Sequence, residues 1–530
     1  MAATGKSFIG FHEGSQGAKK FRAYNPATGE ALDPEYQEAS PEEVDAAARL
    51  AAEAFVSYRE LSGAAKAEFL NAIARNIEAV LEPLVERAHL ETALSKPRLQ
   101  SETARTCNQL RLFAQVVEEG SWVNPRIDRA DPNRKPLPKA DIRSMWRPLG
   151  PVVVFSASNF PLAFSVAGGD TASAFAAGNP VIVKAHSAHP GTSQIVGEAV
   201  RNAVRSCKLH EGVFSLIFGA GTSVGTQLVR HPLIKAGGFT GSTGAGRALM
   251  NLAAARPEPI PFYGELGSTN PVFLLPGAMR TRAGKIAEDL YTSFTLGAGQ
   301  FCTKPGLIFF SEDKSAEPFL GELKGKVEKA PEFALLTKGI SGDYEKEVQA
   351  RKQRRDVSVV AEGAQRNAAN PYSATTALYQ TEISAFNSNP EMSEEHFGPS
   401  TLLIRYSTKQ QILEAARNLE GHLTATIHGT EEDLREFAEL ISILENKVGR
   451  IIFNGFPTGV EVCHAMVHGG PYPASTDGRT TSVGTQAIYR FARPVCYQNL
   501  PDAALPPELK NANPLGVWRL VDGKMTQEPL

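Results

Sequence analysis

The sequence predicts an α/β protein with two successive α/β series, on three observations. Residues 41–118 carry apolar side chains at helical spacing; from residue 150 short apolar runs alternate with helix-compatible segments; a second series of the same kind follows Pro271. Apolar runs that are continuous rather than alternating, with helical segments between them, indicate parallel strands covered on both faces. That is the nucleotide-binding type of α/β architecture.

Taken in order, the helical stretch opens with Val44, Ala47, Ala48, Ala51 and Phe55, then Phe69, Ile73, Ile77, Val80, Leu81 and Leu84. Ser40 with Glu43 is a capping-box pattern, and Pro41 suits the first helical position. These helices are expected to cover a sheet. Strands of the first series are expected at 152–155, 181–183, 215–218 and 237–239, with helices over 162–177, 192–204 and 224–229. Strands of the second series are expected at 272–275, 307–310, 401–404, 424–427 and 450–453. Segments 142–147 and 488–497 look like strands outside either core. The latter mixes Tyr489, Arg490, Phe491 and Arg493, as a β-ribbon with one exposed face would, and such a ribbon suits an oligomerisation arm. The layout expected is therefore 1–135 with 154–264 as a cofactor-binding domain, 265–470 as a catalytic domain, 136–153 with 484–500 as the arm, and 501–530 as a tail.

Bulk numbers narrow the function classes. A chain of 530 residues at 42% hydrophobic and 21% charged is an ordinary globular composition with room for two or three domains. A net charge of −2 offers nothing to nucleic acid or an anionic membrane. No segment has the length and apolarity of a transmembrane helix, and residues 1–17 lack the apolar core of a secretory leader. Five scattered cysteines without a CxxC pair argue for a reducing compartment, and the cytoplasm is expected.

Cys302, in Gly299-Gln300-Phe301-Cys302-Thr303, is the most informative residue. A free cysteine usually packs as a small hydrophobe, but this one follows two glycines and an amide, on a loop before an apolar strand, where nucleophiles tend to be presented. Two glycine loops, 219–225 and 239–246, each join a strand to a helix. The first is GxGxxxG, one residue longer than the dinucleotide fingerprint, and the Walker pattern is absent. Either loop could bring a helix N-terminus to a pyrophosphate or be only a tight turn. His464 and His468 form HxxxH without the zinc-protease glutamate, so no metal is expected. His186 and His189 follow a strand, where α/β folds often contact ligands.

Taken together, these segments resemble the aldehyde dehydrogenase superfamily over residues 20–500. The resemblance is carried, in order, by Asn159-Phe160-Pro161, the strand end at Lys184, Phe239-Thr240-Gly241-Ser242, Glu265-Leu266-Gly267, Gln300-Phe301-Cys302 and Glu395-His396-Phe397-Gly398-Pro399. It implies that Cys302 attacks an aldehyde as thiolate, that Asn159 and the Cys302 N–H receive the oxyanion, and that Glu265 activates the water that hydrolyses a thioester. It further implies a nicotinamide cofactor held by Phe155, Ser156, Lys184, Ser187, Gly225, Gly241, Ser242, Glu395 and Phe397. Phe160, Phe456 and Val460 are its candidates for the substrate tunnel, and a homodimer or homotetramer is its expected assembly.

Three departures refine the resemblance. Ser158 stands where many members carry Trp. Ser187 stands where many NAD-using members carry a Glu that would repel a 2′-phosphate, so NADP is expected to be preferred, with NAD possible. Segment 455–463 replaces the common proline-phenylalanine-glycine-glycine stretch. Together these features look like the branch holding 2,5-dioxovalerate dehydrogenases and NADP-dependent fatty aldehyde dehydrogenases. A dicarbonyl acid needs a cationic anchor, which the sequence does not identify; Arg111 and Arg280 are guesses that surface charge explains better. Rival readings are a CoA-acylating enzyme, which typically lacks the residue that Glu265 supplies; a cysteine hydrolase using His464 or His468; and a non-catalytic protein on this fold.

Overall fold

The computed structural model describes residues 4–14 and 19–530. The segment 1–17, expected to carry no leader, lies partly outside them.

The first sheet has seven strands. Its five parallel members run in the spatial order Phe262–Glu265, Ala236–Thr240, Val152–Phe155, Val181–Lys184, Phe214–Ile217. Two short antiparallel strands, Phe8–Ile9 and His12–Glu13, extend it beyond Phe214–Ile217. Chain order reverses at Val152–Phe155: the next two strands in sequence lie on one side of it and the two after those on the other. Such a switch point opens a crevice at the carboxyl ends of the strands. All four residues of Val152–Phe155 are buried, as a strand covered on both faces requires.

Four helices, Pro41–Tyr58, Gly63–Glu78, Leu81–Thr92 and Lys96–Glu119, occupy the expected stretch. The first starts from the capping box: Ser40 accepts from the Glu43 N–H, and the Glu43 carboxylate accepts from the Ser40 N–H at 2.9 Å. The last three pack on one face of the sheet, with Val152, Val154, Val181 and Val183. The first packs mainly on the other face, with Val153, Phe155 and Ile182.

The helix expected over 162–177 spans only Asp170–Ala177. The reason lies in the backbone before it. The Leu162 and Ala163 N–H groups donate to the Glu102 carboxylate at 2.9 and 3.0 Å. Gly169 takes φ +52°, a conformation that stops a helix from running through it. Helices Pro190–Ser206, Ser223–Arg230 and Thr243–Ala254 complete the layers.

The second sheet also has seven strands, in the order Val357–Glu362, Ala377–Glu382, Ser400–Tyr406, Leu307–Ser311, Val272–Leu274, His422–His428, Val448–Phe453. All neighbours are parallel except the first pair. The first two strands were not expected from sequence; in Val357–Glu362 only Ala361 is buried, and its short apolar run is flanked by Ser358 and Glu362.

The third sheet corrects the expectation for 488–497. Residues Thr485–Phe491 form a 3-10 helix, and the strand is Ala492–Gln498. Arg490 and Phe491 are buried, not set on an exposed ribbon face. The sheet order is Ala492–Gln498, Ile142–Pro148, Arg126–Asp128, Arg519–Val521, Lys524–Thr526, so part of the tail belongs to the arm. Leu505, Leu509 and Val521 close a small core with Val123, Ile127 and Met145. Among the described residues no helix is long and apolar enough to cross a membrane.

Burying one such apolar side chain contributes about 1.5–3 kcal/mol. Deleting 501–530 is therefore expected to lower the thermal midpoint by more than about 5 °C, measured by a melting scan. A midpoint shifted by less than about 1 °C would show that the tail merely decorates the arm.

Candidate active site

A cavity of about 1220 Å³ opens at the switch point and runs between the two large sheets. Phe155, Ser156, Lys184, Gly225, Gly241, Ser242, Glu395 and Phe397 line it, and so do Asn159, Glu265 and Cys302. Ser187 does not line it; His186 does. Phe160 and Val460 pack together in a separate apolar cluster with Phe164 and Met466. Phe456 lies elsewhere, its ring 4.7 Å from that of His428. Of the two candidate anchors, Arg111 is bidentate to Glu78 at 2.7 Å with 39% of its side chain exposed, and Arg280 is exposed.

The Cys302 loop is held from below. Asn270, in Glu265-Leu266-Gly267-Ser268-Thr269-Asn270, donates through Nδ2 to the Cys302 carbonyl at 2.8 Å and to the Lys304 carbonyl at 3.0 Å. Its Oδ1 accepts from Ser268 and Thr424. One motif thus carries Glu265 at its start and fixes the thiol loop at its end. Gly299 takes φ +70°, and a Cβ there would lie 2.2 Å from the Gly398 carbonyl, so the loop packs on the Glu395–Pro399 segment with no room for a side chain. Asn159 Nδ2 donates to the Gln300 carbonyl at 2.9 Å, which places its amide at the same turn.

Burial, with the Glu395 and Glu265 carboxylates behind it, pushes the Cys302 thiol up to about 12. The nearby Arg105 guanidinium and the Cys302 N–H oppose that shift. Sγ lies 3.6 Å from His468 Nε2. Burial and the arginines around it hold His468 down at about 3, so its ring is neutral and resists taking up a proton. His464, the other half of HxxxH, is exposed. No group of three His, Cys, Asp or Glu able to hold a metal occurs among the described residues.

Glu265 ends its strand inside a buried ion cluster. One carboxylate oxygen pairs with Arg490, and the other accepts from Ser475 at 3.0 Å. Arg490 also donates to Asp170 at 3.0 Å and to Thr480 at 3.1 Å. Burial raises Glu265 to about 7 while Arg490 and Ser475 hold it from rising further. The carboxylate is thus poised to gain or lose a proton near neutrality.

The cavity fits a dinucleotide on observations of this chain. Ser156 Oγ and Glu395 Oε1 are buried without a partner, two orphaned polar atoms suited to hydroxyl or amide groups of a ligand. A Cβ on Gly221 would meet nothing within 4 Å, so the first glycine loop faces open space. Gly225 approaches the Phe155 ring so closely that a Cβ would lie 3.0 Å from it. Lys184, lowered to about 8 by burial, stands at the strand end nearby.

Residues 11–492 match the family model described as the aldehyde dehydrogenase family. The chain belongs to the aldehyde dehydrogenase family. As an aldehyde dehydrogenase it oxidises aldehydes with a nicotinamide cofactor. It is 48% identical to alpha-ketoglutaric semialdehyde dehydrogenase 2 of Azospirillum brasilense, over 99% of this chain and 100% of the relative. It is 44% identical to alpha-ketoglutaric semialdehyde dehydrogenase of Acinetobacter baylyi, over 99% of each. Among solved structures, the NAD+ complex of an aldehyde dehydrogenase from Bacillus cereus superposes with a TM-score of 0.80 at 21% identity, over 93% of this chain and 96% of that one.

Several site groups escaped the sequence. Arg490 looked like a ribbon residue and Asp170 like mid-helix; His468 was considered only as a metal ligand or hydrolase partner. Nothing at all pointed to Arg105. The thiol environment has a direct consequence: in the cofactor-free aldehyde dehydrogenase, alkylation of Cys302 by iodoacetamide should keep rising from pH 7 to pH 10 without a plateau. A plateau reached below pH 8 would mean that the thiolate is already stabilised in the resting enzyme.

Proposed function

We propose that this enzyme oxidises 2,5-dioxopentanoate (alpha-ketoglutaric semialdehyde) to 2-oxoglutarate, with Cys302, Asn159 and Glu265 as its catalytic set. The substrate rests on one observation: two relatives matched end to end, at 48% and 44% identity, both bear that activity in their names.

Cys302 Sγ attacks the aldehyde carbon as its thiol proton passes to the Glu265 carboxylate, the acceptor near neutrality whose charge reaches the thiol. Glu265 then releases that proton to solvent, and His468, held at about 3, stays a neutral neighbour of the sulfur. The oxygen that gains charge is met by the Asn159 amide and the Cys302 N–H. Losing one such donor typically costs about 10²–10³ in rate. Ser156, Gly241, Ser242 and Glu395 would hold a nicotinamide, which when bound would supply the acceptor for the hydride that the Cys302 adduct loses in becoming a thioester. Glu265, ionised above about pH 7, removes a proton from water; the hydroxyl adds to the thioester carbonyl and the Cys302 sulfur leaves. Retention of Glu265 in its ion cluster supports hydrolysis over transfer to CoA.

NADP is the preferred acceptor in this reading. Lys184 and His186 line the cavity, and the position three residues after the lysine is the neutral Ser187, so no carboxylate stands there to repel a 2′-phosphate. The apolar cluster of Phe160, Phe164, Val460 and Met466 favours a second reading, a broad-range enzyme for longer alkanals. A homo-oligomer joined through the arm is supported by Ala492–Gln498, a seven-residue edge strand at the margin of its sheet.

Following NADPH absorbance tests these points together. Wild type should favour 2,5-dioxopentanoate over hexanal in kcat/KM, favour NADP over NAD, and respond to neither presence nor absence of CoA. Cys302→Ala should lose at least about 10³-fold of the rate. An unchanged rate in that variant would overturn the mechanism, a higher kcat/KM with NAD the cofactor assignment, and a preference for hexanal the substrate.

A further inference from the structure

We propose that Arg105 is the specificity residue of this enzyme, a guanidinium that binds the carboxylate of an acidic aldehyde substrate beside Cys302. The inference rests on the reading that the substrate is a semialdehyde acid, and it supplies the anchor which that reading requires.

Arg105 sits on helix Lys96–Glu119, whose Arg98 lies 4.6 Å from the ring of Phe301 in the Cys302 loop. Its Nε donates to the Val460 carbonyl at 3.2 Å, and its guanidinium lies 5.1 Å from the centre of the Phe164 ring. Both terminal nitrogens, Nη1 and Nη2, are buried and have no hydrogen-bond partner. Four N–H donors are therefore withdrawn from water with no acceptor in the chain, a costly arrangement unless a ligand completes it. The two terminal nitrogens of a guanidinium match the two oxygens of a carboxylate.

Four other cations near the thiol and its loop are already engaged. Arg98 donates to the Asn159 carbonyl at 2.8 Å and covers Phe160 and Phe301. Arg450 donates to the Pro457 and Gly459 carbonyls at 2.8 Å and so braces the 455–463 loop. Arg490 pairs with Glu265 and Asp170, and Lys304 donates to the His396 and Ser400 carbonyls. Arg105 alone among them presents an open fork.

Charge and position agree with an anionic ligand. Arg98 and Arg105 share the field of one buried carboxylate, Glu102, whose Oε1 is taken by two backbone N–H groups and whose Oε2 lies 3.9 Å from Arg98. Glu461 also feels Arg105, but it is exposed. The pocket side thus carries surplus positive charge. Arg105 is close enough to Cys302 and His468 for its charge to shift both. Phe164 links the two: its ring lies 5.1 Å from the Arg105 guanidinium and 5.9 Å from the ring of His468, the neighbour of the sulfur. An aldehyde with a short carbon chain and a terminal carboxylate suits that sequence of surfaces: reactive carbon at the sulfur, methylenes along the rings, carboxylate on the fork. An alkanal would leave the fork unpaired.

The test compares wild type, Arg105→Met and Arg105→Lys in the full-length enzyme with three five-carbon aldehydes: 2,5-dioxopentanoate, 5-oxopentanoate and pentanal. Arg105→Met should lower kcat/KM for the two acids by about 10²-fold or more, chiefly through KM. Pentanal, which has no carboxylate, should lose only what the guanidinium's field on Cys302 supplies, so the acid-over-pentanal ratio of kcat/KM should fall by at least about tenfold, and Arg105→Lys should fall between. Pentanal turnover in the same preparation reports that the variant is folded. A loss equal for all three aldehydes, or no loss for the acids, would overturn the proposal. A wild type that favours 5-oxopentanoate, with that preference abolished in Arg105→Met, would keep the anchor and remove 2,5-dioxopentanoate as the substrate. A wild type that favours pentanal over both acids would remove the anchor and the substrate reading together.

Discussion

The buried cluster of Glu265, Arg490 and Asp170 is the constraint on which the rest depends. Arg490 comes from the 3-10 helix that leads into the arm, Asp170 from the first turn of a helix beneath the first sheet, and Glu265 from the last residue of that sheet's edge strand. Arg490 is 1% exposed, and its guanidinium nitrogens are shared among Asp170, Glu265 and Thr480. Removing one partner of such a buried pair typically costs about 3–5 kcal/mol because it strands the other charge. The cluster therefore ties three segments together while setting the ionisation of one carboxylate.

That double role explains why the two carboxylates facing Cys302 differ in their partners. Glu265 is held by a full guanidinium and a hydroxyl. Glu395 is buried with one oxygen unpartnered, and burial raises its pKa against the field of Lys304. The first is a committed, poised proton acceptor; the second has an oxygen left over for a ligand. Both push the Cys302 thiol upward, so the resting nucleophile is a thiol, and its activation depends on what is brought to it.

Much of the fold was legible because its signals are local. Continuous apolar runs marked the strands of both large sheets, and the Ser40–Glu43 capping box marked the first helix to the residue. Cys302, Glu265, Asn159 and Glu395 were legible because each sits in a short contiguous motif. The helix over 162–177 was overextended because a side chain 60 residues upstream, Glu102, takes its early N–H groups. Arg490 was misplaced because its two carboxylates lie 225 and 320 residues away in sequence, and no periodicity reports a contact of that kind. His468 and Arg105 share that difficulty. A histidine 166 residues from the thiol and an arginine on a covering helix acquire their meaning only when the sheets close around Cys302.

The account turns on Glu265 gaining its proton near neutrality and acting on the acyl-enzyme. Cys302 can be loaded with an acyl group from an activated ester, and the decay of that adduct followed by intact-protein mass spectrometry from pH 5.5 to pH 8.5. Below about 7 the carboxyl is protonated and cannot accept a proton from water, so decay should be slow and should rise with pH to a midpoint near 7. In Glu265→Gln it should be slow throughout, by about 10²-fold or more. A decay rate independent of pH, or one unchanged in Glu265→Gln, would contradict the account.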